Sequence, residues 1–281
     1  MEKMPYISVV ISTYNCADYI ESTIKSVINQ KYKNIEILIV DDDSTDETKY
    51  KINELSKSDP RIKLFFLEHS GSPARTRNYG ISKSSGDFIA FLDGDDIWTS
   101  DKLNIQISKL IADPPSVLVY SMSVTFGEVS IFSPFYEVLP LLWKRGITRK
   151  DLISNGNSIT NSTVMVRSEI LKEVGGFDED SDLKFVEDYD LWLRLGEKGK
   201  FLFIPRIHAY YRIHSNQSSG SWNIKQSNLK SLAKKRNLSL PPYKFMRNKG
   251  FLIMIIRNTI HFLNYAIAMI GSVYDKIIGK A

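Results

Sequence analysis

Two rhythms of apolar residues run through the first half of the chain. Residues 6–12 (YISVVIS) are short and rich in β-branched residues, the pattern of a buried strand, and 35–41 (IEILIVD), 61–68 and 88–93 (FIAFLD) read as further strands. Between them Ile20, Ile24, Val27 and Ile28 recur at helical spacing, as do Leu103, Ile107, Leu110 and Ile111 within 101–112. Asp18 is placed to cap the first helix, and Ser44-x-x-Glu47 reads as a capping box opening a second that runs to the Lys57 region. A short helix is expected over 74–82. Strands alternating with helices predict an α/β fold, a mainly parallel sheet with helices on both faces.

After residue 115 the alternation loosens. Residues 117–126 read as a strand, and 128–160, with Pro134 and Pro140, as a flap or irregular insertion. A strand at 161–167 precedes a short helix at 168–174, ended by Gly175–Gly176. Residues 187–198 form a helix that buries Leu191, Trp192 and Leu195, and 201–204 and 207–211 are short strands divided by Pro205. The expected division is a body over 1–220, with halves at 1–115 and 116–220, and a helical tail over 221–281. In the tail, 225–249 are basic, Pro241–Pro242 form a break, and 251–274 are strongly apolar. The longest stretch without Lys, Arg, Asp or Glu, 258–274, has 17 residues, the lower margin for a membrane span. Arg257, His261, Asn264, Ser272 and Asp275 form a polar stripe, the mark of an amphipathic helix lying in a membrane interface. The alternative is a helix docked on the body or on a partner subunit.

Charge sharpens this division. The 281 residues carry a net +5, yet residues 221–281 hold eleven Lys or Arg against one acid, Asp275. The tail is thus +10 and the body −5. An acidic body excludes nucleic-acid binding spread over the whole chain, and the basic tail suits an anionic surface. With 43% hydrophobic and 25% charged residues, wholesale disorder is excluded as well. The single cysteine, Cys16, leaves no disulfide scaffold, CxxC pair or thiolate metal site within one chain, which fits a reducing compartment. The N-terminal MEKMPYISVVISTYN reads as a core strand, not a signal peptide.

Ligands of open parallel sheets gather beyond the carboxyl ends of the strands. Ser12-Thr13-Tyr14-Asn15 follows the first strand, Asp41, Asp42 and Asp43 end the second, and Asp93, Asp95 and Asp96 the fourth. Two acidic clusters at one edge repel unless a cation sits between or beside them, and a hard divalent ion, Mg²⁺ or Mn²⁺, meets that need while leaving positions open for a diphosphate. Tyr14 offers a flat face to a base, and Asp42 an acceptor for a base N–H. Each feature alone has a plainer reading: Asp41–Asp43 as a helix cap, Asp93-Gly-Asp-Asp as a polar turn, Tyr14 as a surface aromatic. Neither GxGxxG nor GxxxxGK[ST] is present.

SVVISTYN, VDDDSTDET, GSPARTRNYGISKSSGDFIAFLDGDD, GGFDE and FVEDYDLWLRL resemble, in the expected order over roughly residues 6–215, the family-two glycosyltransferases of the GT-A fold. The resemblance implies a nucleotide-sugar donor, with UDP favoured, a divalent metal (Mn²⁺ or Mg²⁺) and inversion at the anomeric carbon. It places Ser12, Tyr14 and Asp42 on the nucleobase, Asp93 near the ribose, Asp95 with Asp96 on the metal, and Arg77 on a phosphate or the nucleobase. Asp188, at the start of the 187–198 helix, becomes the catalytic base; without the resemblance Glu187–Asp188 would read as an acidic first turn meeting the helix dipole. Tyr211-Arg212-x-His214 resembles the family's YRxH segment, which closes over the diphosphate or metal and makes His214 a candidate ligand. Asn161, Ser162 and Thr163 are weaker candidates for the acceptor side. Asp43 departs from the family, where many members carry Gly or Asn.

With the basic, apolar tail, this implies a hexose transferred to a lipid-linked acceptor, such as a glycan on undecaprenyl diphosphate. The enzyme would sit peripherally on the cytoplasmic face of the inner membrane and build O-antigen or capsule. Two rivals are a nucleotidyltransferase and a non-catalytic nucleotide-sugar or glycan-binding module. STYNCAD stands where the first would carry a Gly- and Lys/Arg-rich triphosphate loop, and Asp93, Asp95, Asp96 and Asp188 argue against the second.

Overall fold

A computed structural model describes residues 4–128, 147–215, 217 and 222–242. Its strands are β1 (Ile7–Thr13), β2 (Ile35–Asp41), β3 (Ile62–Phe66), β4 (Phe88–Asp93), β5 (Ile97–Trp98), β6 (Ser116–Gly127), β7 (Met165–Arg167) and β8 (Lys200–Ile213). Its α-helices are α1 (Ile20–Ile28), α2 (Thr48–Ser56), α3 (Pro73–Lys83), α4 (Lys102–Ala112), α5 (Arg149–Asn155), α6 (Ser168–Glu173), α7 (Glu187–Lys198) and α8 (Trp222–Lys235). The strands form one sheet in the order β3-β2-β1-β4-β7-β6-β8-β5. The first four run parallel, and β7 enters antiparallel between β4 and β6.

Alternate residues of the parallel strands feed two cores. Val10, Leu38, Ile89 and Phe91 pack with α3, α5, α6, α7 and α8, whereas Val9, Ile11, Ile37, Ile39 and Leu92 pack with α1, α2 and α4. That two-sided burial leaves β1, β2 and β4 no solvent-facing side, whereas β3, at the sheet edge, exposes Lys63 and Phe66. Gly175 and Gly176, both at positive φ, end α6 with backbone bonds back to Lys172 and Leu171, a left-handed turn that glycine makes without strain.

Several local expectations need correcting. Asp18 does not cap α1: Tyr19 occupies that position with no side-chain cap. Nor does Ser44 open α2, which begins at Thr48; its hydroxyl and N–H are instead drawn to the two oxygens of Asp41 at 2.6 and 2.8 Å. Residues 161–167 divide into a 3-10 turn, Asn161–Thr163, and the short β7. Pro205 does not split β8: the strand continues past it where the β6–β8 register shifts, a place that tolerates the missing N–H.

Of the expected flap, residues 129–146 lie outside the described residues, and the apolar 251–274 segment with its polar stripe does too. The first part of the tail is described, as α8. Leu229 and Leu232 are buried in the core, Arg236 makes a two-pronged ion pair with the fully buried Asp190 at 2.6 and 3.0 Å, and Lys235 pairs with Asp178 and Asp180. Among the described residues no helix is long and apolar enough to cross a membrane.

Candidate active site

Register brings the three loop clusters together. Ser12 pairs with Asp93 across β1–β4, and Thr13 with Asp41 across β1–β2, so everything that follows these strands emerges at one sheet edge. Cys16, buried beneath that edge, has its thiol pushed up first by burial and then by the Asp95 and Asp41 carboxylates.

On the β2 side, the Asp42 carboxylate is held by Ser70 and Gly71: Oδ1 accepts from the Ser70 N–H and hydroxyl at 3.0 and 2.9 Å, and Oδ2 from the Gly71 N–H at 2.8 Å. Tyr14, 39% exposed, stacks on His69 with ring centroids 4.5 Å apart. One Tyr14 face is thereby braced. His69 was missed in the sequence, though it follows β3 and the same strand-end reasoning applies to it. Asp41 serves the turn, accepting from Thr13 and Ser44. Asp43 sits at φ 62° and is exposed, paired with Lys49; Gly and Asn fit this left-handed position best, and Asp tolerates it.

On the β4 side, Asp93 Oδ1 accepts from Arg77 at 2.8 Å, Asn161 at 3.0 Å and Ser12 at 3.4 Å. Arg77, only 7% exposed, gives its other terminal nitrogen to Glu187 Oε1 at 2.8 Å. Its guanidinium is therefore committed to two acids, not offered to a phosphate or a base as expected. Glu187 Oε2 and Asn161 Oδ1 are buried acceptors with no hydrogen-bond partner among the described residues.

Asp95 Oδ2 lies 3.0 Å from His214 Nε2. Two neighbouring ligands of an octahedral cation bound at about 2.0–2.1 Å stand about 3 Å apart, so the pair fits one. His214 Nδ1 is buried with no partner among the described residues. Asp96 differs from expectation. It is fully buried, Oδ2 accepting from Ser162 Oγ at 2.6 Å and Oδ1 from the Arg212 N–H at 2.9 Å, and burial together with Asp95 and Asp93 drives its carboxyl well above the usual range. Such a group braces the loop from behind and is poorly placed to bind metal. Among the described residues no three His, Cys, Asp or Glu side chains gather as a metal site. Arg212, missed as a site residue although it lies within the YRxH segment, fixes this loop: Nε donates to the Asp95 carbonyl at 2.8 Å while its guanidinium lies between the Tyr19 and Phe126 rings.

Asp188 opens α7 beside Glu187. Burial lifts its carboxyl to about 7, with Glu187 adding; the Arg77 cation, the Tyr189 N–H and the Asn157 amide, 3.0 Å from Oδ2, pull the other way. Asn157 had no signal in the sequence. Trp192 and Leu191, on the same helix, are fully buried in the core. Ser162 and Asn161 support Asp96 and Asp93, and Thr163 Oγ1 bonds the Thr160 carbonyl.

A mixed sheet whose parallel strand ends carry a braced aromatic and a string of carboxylates, faced by a helix that opens on an aspartate with a pKa near neutrality, has the architecture of a glycosyltransferase of the GT-A fold. The chain matches the Glycosyl transferase family 2 model over residues 8–175 and belongs to that family. It is 32% identical over 236 residues to the Escherichia coli UDP-Glc:alpha-D-GlcNAc-diphosphoundecaprenol beta-1,3-glucosyltransferase WfaP, covering 82% of this chain and 87% of that protein. Among solved structures, S. aureus TarS in complex with UDP superposes with a TM-score of 0.65 at 20% identity, over 88% of this chain and 70% of that one. The Pyrobaculum calidifontis mannosyltransferase PcManGT, in complex with GDP-Man and Mn²⁺, does so at 0.65 and 17% identity, over 98% and 81%.

Proposed function

We propose that the enzyme is an inverting hexosyltransferase that moves a hexose from a UDP-sugar to a lipid-linked glycan on undecaprenyl diphosphate. It works peripherally at the cytoplasmic face of the inner membrane, in building a surface polysaccharide such as O-antigen or capsule. One observation carries the reading: Asp188, near neutrality in pKa, is tied through Glu187 and Arg77 to Asp93 at the donor edge. WfaP, which by name takes its glucose from UDP-Glc and acts on a diphosphoundecaprenol-linked sugar, and TarS, bound to UDP, support the donor and acceptor classes.

The roles follow from the chemistry. Tyr14, with His69 behind it, stacks the uracil, Asp42 accepts from a base N–H, and Ser12 and Asp93 meet the ribose. Glu187 Oε2 and Asn161 Oδ1, acceptors without a partner among the described residues, suit hydroxyls of the donor sugar. Asp188 removes the proton of the acceptor hydroxyl; that oxygen bonds to the anomeric carbon from the face opposite the diphosphate, and the departing electron pair leaves with UDP, inverting the centre. A positioned base of this kind contributes about 10²–10⁴-fold. Asp95 and His214 would hold Mn²⁺ or Mg²⁺, which when bound neutralises charge on the leaving diphosphate. Asp96 and Arg77 hold these groups in place.

The test is a panel of UDP-, GDP- and dTDP-hexoses supplied with membrane extract, with manganese, magnesium or chelator. Release of UDP that depends on both extract and metal is expected. Release of GDP or dTDP overturns the donor class, and release of pyrophosphate from a nucleoside triphosphate would mark a nucleotidyltransferase. Deleting residues 241–281 should move the protein from washed membranes to the soluble fraction; retention there excludes that segment as the anchor.

A further inference from the structure

Of the four described residues other than glycine that hold a positive φ, three are Asn15, Asp43 and Asn237, types that tolerate it. The fourth is Phe185, at φ 67°. Its place is a type II turn: Lys184 lies at φ −53°, ψ 135°, and the Val186 N–H closes on the Leu183 carbonyl at 3.0 Å. The third position of such a turn asks for glycine or asparagine, and a bulky side chain there is strained. α8 holds the turn in shape, Asn228 Nδ2 donating to the Lys184 carbonyl at 2.7 Å. Strain of this kind persists where neighbours impose it, and it gathers at functional sites.

Core packing does not account for the ring. Phe185 is half-buried and belongs to neither hydrophobic core, and Lys184 Nζ stands 5.1 Å from the ring centre. Exposure along the segment is selective. From Leu183 to Asp190 only Lys184, Phe185 and Asp188 are partly open, whereas Val186, Glu187 and Tyr189 are buried. Three residues of chain span at most about 11 Å, so the ring and the Asp188 carboxyl open onto the surface as neighbours.

We propose that Phe185 is the platform of the acceptor subsite, an aromatic face on which the apolar side of a pyranose lies while one of its hydroxyls is presented to Asp188. This rests on the reading of Asp188 as the base. The C–H groups of a pyranose meet an aromatic ring as another apolar surface does, which gives a use to an aromatic side chain where glycine would fit without strain. The groups that meet the nucleotide, Ser12, Tyr14, Asp42 and Asp93, follow other strands, so UDP binding does not draw on the ring.

The experiment compares Phe185→Gly, Phe185→Leu and Phe185→Tyr with wild type in the full-length enzyme. UDP-glucose is the donor, and the acceptors are membrane extract and N-acetylglucosamine α-linked through a diphosphate to an alkyl chain. Phe185→Gly relieves the turn, so its urea midpoint should equal or exceed that of wild type, yet its kcat/KM for acceptor should fall about 5- to 30-fold. Phe185→Leu, apolar but without a ring face, should show the same kinetic loss, and Phe185→Tyr should retain most of the wild-type rate. UDP affinity in calorimetry should be unchanged in all three. A urea midpoint well below wild type in Phe185→Gly overturns the proposal, because the ring would then be structural. So do unchanged kinetics in Phe185→Gly, wild-type kinetics in Phe185→Leu, or a UDP affinity that falls with the rate. If wild type turns over neither acceptor, calorimetric binding of the alkyl-linked sugar in the presence of UDP decides: weaker binding in Phe185→Gly supports the platform, and equal binding rejects it. The base reading fails separately, through wild-type turnover in Asp188→Asn.

Discussion

Arg77 Nη1 lies 2.8 Å from Glu187 Oε1 across 110 residues of chain, and Nη2 of the same guanidinium lies 2.8 Å from Asp93. One buried cation thus sets the distance between the donor edge and the helix that carries Asp188. Removing it leaves two acids facing each other with little water to screen them. Arg77→Met should lower the unfolding free energy by about 3–5 kcal/mol, measured by urea titration at neutral pH. A loss below about 1 kcal/mol, the range of exposed pairs, would mean that the network is solvent-screened.

Asp188→Asn should cut turnover by about 10²–10⁴-fold with UDP affinity nearly unchanged, since the base contributes to the chemical step. In wild type, kcat/KM should rise with pH through about 7 as the base ionises. The Asn157 amide stabilises the ionised form, so Asn157→Leu should carry that limb to higher pH. Turnover within a few-fold of wild type in Asp188→Asn would place the base elsewhere.

The same carboxyl affects stability with a definite sign. Its folded pKa, about 7, exceeds the ordinary value near 3.9, so the folded state holds the proton more tightly and stability is lost as pH rises between the two. Asp188→Asn should therefore resist denaturant better than wild type above pH ~7, with the advantage fading toward pH ~4. A gain independent of pH would refute the assignment.

Asp95→Ala should abolish the manganese dependence of UDP binding in calorimetry, and His214→Ala should weaken it. Titrations that respond to manganese as wild type does would exclude the pair as ligands. Asp96→Asn, by contrast, should disturb the loop more than the metal dependence, because both Asp96 oxygens are engaged within the protein.

Cys16 is 6% exposed, and burial and nearby carboxylates keep its thiol protonated. Thiol reagents at neutral pH should leave the folded protein unmodified and label it fully in denaturant. Rapid labelling of native enzyme would show that the site edge opens.

The inner strands of the donor half were legible because β1, β2 and β4 are apolar runs buried on both faces, and α7 because Leu191 and Leu195 stand one turn apart with Trp192 between them; β4 and α7 occur at the expected residues. Caps were harder to read, since a side chain can be claimed by a competing turn: Ser44 went to Asp41. The strand-end rule located Ser12, Tyr14, Asp42, Asp93 and Asp95 because register is a local property of paired strands. It could not reveal Asn157, which meets Asp188 across 31 residues, or foresee that Arg77 would be consumed by two acids. Such contacts depend on how distant segments pack, and no spacing rule encodes them.

The clasp of Arg236 on Asp190 has a consequence for how such enzymes can be recombined. A cassette ending at residue 220 would strip the hydrophobic cover from the socket of Leu229 and Leu232 and leave a carboxylate that is 0% exposed with Arg194 as its one remaining ion-pair partner among the described residues. Exchange of catalytic modules between chains must therefore carry α8 along, because the body's own core is closed by it.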